Sequence, residues 1–177
     1  ADRQLDVIDA TCPLVSKVHQ EARRFAQSER VLMLVGHADH EEIEGTYGEA
    51  PDRTTIVSSA ADVAALDLPR DTPVAFLTQT TLSLDETADV IDALRERFDD
   101  VSGPKTDDIC YASQNRQNAI KALATRSDLM LVVGSRNSSN SIRMVEVAEN
   151  AGTRAYLVPD VGDLDESWLE GVRVVGV

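Results

Sequence analysis

The sequence predicts an α/β protein of two pseudo-symmetric units, each a mostly parallel sheet flanked by helices. Three observations carry that expectation. The apolar runs Val31–Val35 and Leu129–Val133 each stop at a glycine, Gly36 and Gly134. Short unbroken apolar runs suit strands buried on both faces of a parallel sheet. Segments with a helical period alternate with such runs, as strand–helix–strand units require. The pattern also repeats: Cys12 precedes Gly36 by 24 residues, and Cys110 precedes Gly134 by 24. Gapless self-similarity over a helix and a strand marks a duplicated αβ unit.

Taken in order, Leu5–Ile8 is a short apolar run leading to Asp9-Ala10-Thr11-Cys12-Pro13. Thr11 or Cys12 suits a helix start, with Pro13 in the first turn. Leu14, Val15, Val18, Ala22, Phe25 and Ala26 keep a helical period. A strand over 31–36 runs into a polar loop, and after Gly45 the chain turns through Pro51-Asp52 into a strand, Thr54–Val57. Ser59 with Asp62 caps a helix to about Leu66. Beyond the loop Leu68–Pro73 come the buried strand Val74–Thr78, then Gln79-Thr80-Thr81, then a second capping box of Ser83 and Glu86. Leu84, Ala88, Ile91, Leu94 and Phe98 are expected to line the buried face of that helix.

Ser102-Gly103-Pro104 sets the expected boundary: one unit over 1–103, with 1–11 as its lead-in, and one over 104–177. In the second, Asp107–Cys110 leads into a helix with Ala119, Ile120 and Leu123. The strand Leu129–Val133 precedes the polar stretch Ser135–Ser141 and a helix marked by Ile142, Val145 and Ala148. Ala155–Val158, Asp165–Glu170 and Val172–Val177 read as strand, helical turn and last strand. A terminal strand without its loop is expected of a piece of something longer.

The 177 residues carry 31 acidic and 17 basic side chains, a formal charge of -14. Nucleic acids and anionic membranes call for a basic footprint, so neither is an expected partner. An anionic ligand would be held by local donors against the overall field. No apolar run is long enough for a membrane span, and no signal peptide opens the chain. Two cysteines far apart in sequence make no disulfide framework, and the cytoplasm is the expected compartment.

The chemistry concentrates after the first strand. Of three histidines in the chain, His37 and His40 lie here, beside Glu41 and Glu42. Ligands of parallel sheets bind beyond the carboxyl ends of strands. The alternative is a solvated strand-to-helix turn. Cys12 and Cys110 each open a helix, where backbone N–H groups and the helix dipole stabilise a thiolate nucleophile or metal ligand; two buried apolar thiols are the alternative. Two thiols do not complete a zinc or iron–sulfur site, which a third repeat would. Ser135–Ser141 contains four serines and two asparagines, more than a helix cap needs, and suits an anion. Thr80 and Thr81 offer hydroxyls at the equivalent strand end, or are ordinary loop residues. His19, beside an apolar stripe, reads as structural.

Five stretches together resemble the 4-hydroxy-3-methylbut-2-enyl diphosphate reductase family. They are Asp9–Val15, Gly36–Thr46, Gln79–Ser83, Asp108–Ala112 with Asn115-Arg116-Gln117, and Val133–Ser141. The resemblance runs nearly end to end. It implies reductive removal of an allylic hydroxyl, giving isopentenyl and dimethylallyl diphosphates. It also implies a 4Fe–4S cluster on three cysteines, one from each of three α/β units around a cavity, and an electron donor such as ferredoxin or flavodoxin. Cys12 and Cys110 are then cluster ligands and Glu42 the acid. Thr80 orients Glu42, and His40 and Thr81 contact substrate. Ser138, Ser139 and Asn140 hold the diphosphate. Glu41 stands where the family usually has Pro. The family's first cysteine unit and its C-terminal serine loop are absent from the chain, which by itself is expected neither to hold an intact cluster nor to turn over. Two other readings are kept: a non-catalytic phosphate-binding α/β module, and a zinc or thiol redox protein using Cys12 and Cys110.

Overall fold

The computed structural model describes residue 6 and residues 8–104 and 108–177, the side chain of Glu86 excepted. The expected run at 5–8, the start of the second lead-in at Asp107, and the Glu86 half of the second capping box fall wholly or partly outside the described residues. The chain divides into two compact units: Ala1–Thr80 with Asp92–Asp108, and Thr81–Ile91 with Ile109–Val177.

The first unit holds α1 (Pro13–Ala26), β1 (Val31–Val35), α2 (Glu41–Gly48), β2 (Thr54–Val57), α3 (Ala60–Ala64), β3 (Val74–Thr78) and, after α4 (Leu84–Arg97), β4 (Val101–Ser102). Helix α4 is divided between the units at Ile91 and Asp92. Its sheet has the order β2-β1-β3-β4 and every pairing is parallel. Pro13 occupies the first turn of α1, where its missing N–H costs nothing, and Arg23 and Arg24 close the last turn against the dipole. Val18, Ala22 and Phe25 of α1 bury against Leu32 and Leu34 of β1, Ala75 and Leu77 of β3 and Ile43 of α2.

The second unit holds α5 (Tyr111–Ala124), β5 (Leu129–Val133), α6 (Ser139–Asn150), β6 (Arg154–Val158) and β7 (Val175–Gly176), with a parallel sheet of order β6-β5-β7. Ile120 and Ala124 pack with Met130, Val147, Ala148 and Ala155. The duplication holds to the residue. Adding 98 to the ends of α1 gives the ends of α5, and adding 98 to the ends of β1 gives those of β5. The N-cap of α2, His40, maps in the same way onto the N-cap of α6, Ser138. Even one close approach is copied. A Cβ on Gly36 would meet Ile43 Cδ1 at 2.3 Å, and one on Gly134 would meet Ser141 Oγ at 2.1 Å.

The structure corrects several expectations. The stretch taken as loop up to Gly45 is helical from Glu41, because the His40 ring caps it and Glu41, Glu42 and Glu44 suit the positive end of the dipole. Gly45 lies inside that helix, under the His19 ring, whose nearest atoms are 3.5 Å from where a Cβ would stand. On α4 the buried side chains are Thr87, Val90 and Leu94, followed by Phe98, while Leu84 and Ala88 are exposed. Thr87 tolerates burial because its hydroxyl bonds the Ser83 and Leu84 carbonyls. Ala119, Leu123 and Ile142 are likewise exposed. Strand β7 is two residues rather than six, since the Asp128 carboxylate takes the N–H groups of Arg173 and Val174 at 3.0 Å. No helix among the described residues is long and apolar enough to cross a membrane.

Candidate functional site

In the first unit the loop after β1 and the end of β3 bring four predicted or neighbouring polar groups together. Thr80 grips the Glu42 carboxylate twice: its N–H donates to Oε1 at 2.7 Å and its hydroxyl to Oε2 at 3.1 Å. The N–H of Glu42 donates to His40 Nδ1 at 3.1 Å, so in the neutral ring the proton sits on Nε2. Burial raises the proton affinity of Glu42 above the ordinary carboxylate range; the Thr80 bonds oppose this and the charge of Asp108 adds to it. Burial and the nearby His37 push His40 below its usual value, against Glu41 and Asp39. His37 itself is exposed, with its N–H on Gln79 Oε1 at 3.1 Å.

Asp108 opens the fourth of the five stretches, and the resemblance assigns it no role. It is 2% exposed, paired to Lys17 Nζ at 3.0 Å through Oδ1, and among the described residues its Oδ2 has no hydrogen-bond partner. Burial raises its proton affinity, and Lys17 opposes that. A signal existed in α1: Lys17 and Glu21, four residues apart, interrupt the apolar stripe around Val18 and Ala22, and Glu21 is buried.

Cys12 and Cys110 occupy N-cap positions of two 14-residue helices, and neither makes a side-chain capping bond. Cys12 is exposed. Burial pushes the Cys110 thiol up, but the nearby Ser113 and Ala112 N–H groups and the Arg116 charge outweigh it, so the thiol falls below its ordinary value. Uncapped thiols at helix starts are a donor set that suits thiolate-bound iron. Among the described residues no three His, Cys, Asp or Glu side chains gather as a metal site.

In the second unit Ser138 caps α6 by accepting the Ser141 N–H at 3.3 Å, and Ser139 and Asn140 form its first turn. The half-buried Asn140 is oriented by the hydroxyl of Ser113, which donates to Oδ1 at 2.7 Å. Sequence reasoning missed Ser113, which the helical period of α5 places among its buried residues with Gln117. No acidic residue stands in the first turn of α6, which leaves it suited to an anion. The Thr81 carbonyl accepts from Gln117 Nε2 at 3.0 Å.

The family model described as LytB protein matches residues 1–177. A 4-hydroxy-3-methylbut-2-enyl diphosphate reductase from Cutibacterium acnes is 55% identical over 177 residues, covering 99% of this chain and 55% of that protein. One from Rhodococcus jostii is 56% identical over 178 residues, covering 100% and 53%. The solved E-1-hydroxy-2-methyl-but-2-enyl-4-diphosphate reductase of Plasmodium falciparum has a TM-score of 0.87 at 39% identity, over 96% of this chain and 53% of that one. The chain thus spans about half the length of the curated relatives it matches.

Proposed function

This chain belongs to the LytB protein family, and from that premise we propose that its residues serve the reductive dehydroxylation of (E)-4-hydroxy-3-methylbut-2-enyl diphosphate to isopentenyl and dimethylallyl diphosphate. Glu42 is the acid. The allylic C–O bond breaks, the oxygen leaves as water with a proton from Glu42, and the overall change takes up two electrons and two protons. A carboxyl that keeps its proton above the usual range suits that step, and its double hydrogen bond to Thr80 fixes its direction. This is the observation that carries the reading. The Glu42 N–H on Nδ1 fixes the orientation of the His40 ring, which contacts the substrate.

Ser138, Ser139 and Asn140 receive the diphosphate at the start of α6; Thr81 contributes its hydroxyl to substrate, and the Thr80 hydroxyl, whose proton goes to Glu42, meets substrate as an acceptor. Cys12 and Cys110 each give a thiolate to an iron–sulfur cluster of the 4Fe–4S type, in keeping with their uncapped helix-start positions. Such a cluster supplies electrons and a Lewis-acidic iron when bound. The electrons come from a small redox carrier of the ferredoxin or flavodoxin kind, and the compartment is the cytoplasm. The units 1–103 and 104–177 correspond to the family's second and third.

The test is Glu42→Gln in a protein of the relatives' full length. Turnover should fall at least a hundredfold while diphosphate affinity persists. Unchanged turnover overturns the assignment of Glu42, and binding of diphosphate without turnover in the unaltered protein supports a phosphate-binding module instead.

A further inference from the structure

Helix α5 carries more than the thiol at its start. Gln117, the last residue of the Asn115-Arg116-Gln117 motif, is 2% exposed, and its amide is only half satisfied. Nε2 donates to the Thr81 carbonyl at 3.0 Å, while Oε1 has no hydrogen-bond partner among the described residues. A buried acceptor without a partner costs about as much as a net hydrogen bond returns, so the amide adds little to the stability of the fold. Nor does the scaffold ask for an amide there. The same position of α1, 98 residues earlier, holds His19, whose Nδ1 lies 3.2 Å from Glu49 Oε1. What Gln117 does fix is the approach to α4. Gln114, three residues earlier on α5, fixes its other end. Its Nε2 donates to Asn118 Oδ1 at 2.9 Å, which turns Oε1 to accept the Leu84 N–H at 3.1 Å. Residues 81–84 are thus tied to α5 at both ends. Ser113, four residues before Gln117 and so on the same face of α5, orients Asn140.

We propose that Gln117 is a positioning residue whose hold on the Thr81 carbonyl fixes where the Thr81 hydroxyl meets the substrate. Threonine is stiff at χ1, so a backbone held at its carbonyl also directs its hydroxyl. One face of α5 then sets two substrate contacts, Asn140 through Ser113 and Thr81 through Gln117. The functional weight of this rests on the reading of Thr81 as a substrate contact; the tether itself does not.

Gln117→Met keeps the length of the side chain and removes its donor. In the 177-residue chain the urea midpoint should stay near that of the unaltered chain, while the carbon-13 resonance of the Thr81 carbonyl moves. In a protein of the relatives' full length, KM for (E)-4-hydroxy-3-methylbut-2-enyl diphosphate should rise about three- to tenfold, the worth of one ordinary hydrogen bond. The value of kcat should stay within about twofold, as expected when binding common to ground and transition states is lost. Thr81→Val should raise KM to a similar extent, and adding Gln117→Met to it should raise KM no further. An unmoved Thr81 resonance overturns the proposal. So does a KM that Thr81→Val raises and Gln117→Met leaves in place, or effects that multiply fully in the double variant. If Thr81→Val itself leaves KM unchanged while the resonance still moves in Gln117→Met, the reading of Thr81 as a substrate contact fails, and the proposal with it, while the tether stands. Gln117→Leu gives the same comparison where the methionine variant does not fold.

Discussion

Gly36 stands where β1 gives way to the site, and replacing it by Ala tests how tightly that junction is packed. The new Cβ would lie 2.3 Å from Ile43 Cδ1, 2.8 Å from Ile43 Cγ1 and 2.9 Å from Gln79 Oε1. Carbon atoms rest at about 3.5–4.0 Å, so the overlap exceeds an ångström. Ile43 is wholly buried, and a close-packed interior resists its retreat. Overpacking of this kind costs about 1–3 kcal/mol, less the roughly 0.4–1 kcal/mol gained because Ala restricts the unfolded chain. A net loss of about 1–2 kcal/mol is expected in urea unfolding followed by far-ultraviolet circular dichroism, with the slope m unchanged. Ile43→Ala removes the two closest atoms and should by itself cost about 2–5 kcal/mol. On that background Gly36→Ala should cost less than about 0.5 kcal/mol, a coupling of the size neighbouring residues show. An equal penalty in both backgrounds, or none in the first, would refute the packing argument. Gly134→Ala is the twin in the second unit, where Ser141 Oγ and Cβ take the place of Ile43.

Glu42→Gln should alter stability in a pH-dependent way. The folded carboxyl holds its proton above its reference value of 4.5, so the stability it contributes is complete below that pH and is lost as pH rises through the folded value. Gln cannot ionise, and its advantage over Glu should therefore grow across that window by about 1.4 kcal/mol for each unit the two values differ; unfolding curves between pH 4 and 8 that show the reverse trend would be decisive against it. Lys17→Met strands the buried Asp108 charge and should cost about 2–4 kcal/mol, at the lower end because Lys17 keeps 30% of its side-chain exposure. Most of that should return in the double variant with Asp108→Asn, and a strictly additive double variant would show that the ion pair is not coupled.

The parts of the fold that sequence reasoning placed correctly are those with local causes. Pro13 and the apolar period set α1, and the unbroken runs before Gly36 and Gly134 set β1 and β5. What it missed depends on contacts between distant residues. Helix α2 carries three carboxylates and two glycines in eight positions, which reads as loop until His40 is seen capping it and His19 lying over Gly45. The face of α4 was misjudged because a threonine whose hydroxyl is satisfied by its own helix can be buried where Leu84 is not. At the site, the family motifs named His40, Glu42 and Thr80, but no spacing reveals that Thr80 N–H and Oγ1 both reach Glu42 from 38 residues away. The Asp108 pairing has the same kind of cause: the polar break in the α1 stripe hints at a partner, but only the fold brings Lys17 to a residue 91 positions away.

The duplication explains why one scaffold can present opposite chemistries. Positions 98 apart have the same place in each unit, so His40, Glu41 and Glu42 correspond to Ser138, Ser139 and Asn140. Both sets lie at a helix N-terminus just past a central strand, where the backbone offers donors and a positive dipole end. In α2 three carboxylates in the first turn already answer that field, and one of them, Glu42, is drawn in by Thr80. In α6 nothing acidic answers it, and the residue that replaces Glu42 is a neutral amide held by Ser113. The first start is therefore self-neutralised and can manage a proton, while the second remains available to an outside anion. Exchanging the two residues at the shared position, Glu42→Asn with Asn140→Glu, should abolish the proton site and repel phosphate from α6, so that isothermal titration with inorganic diphosphate loses its signal. Retained binding would mean that the α6 start does not depend on staying uncharged, and the division of labour between the copies would fail.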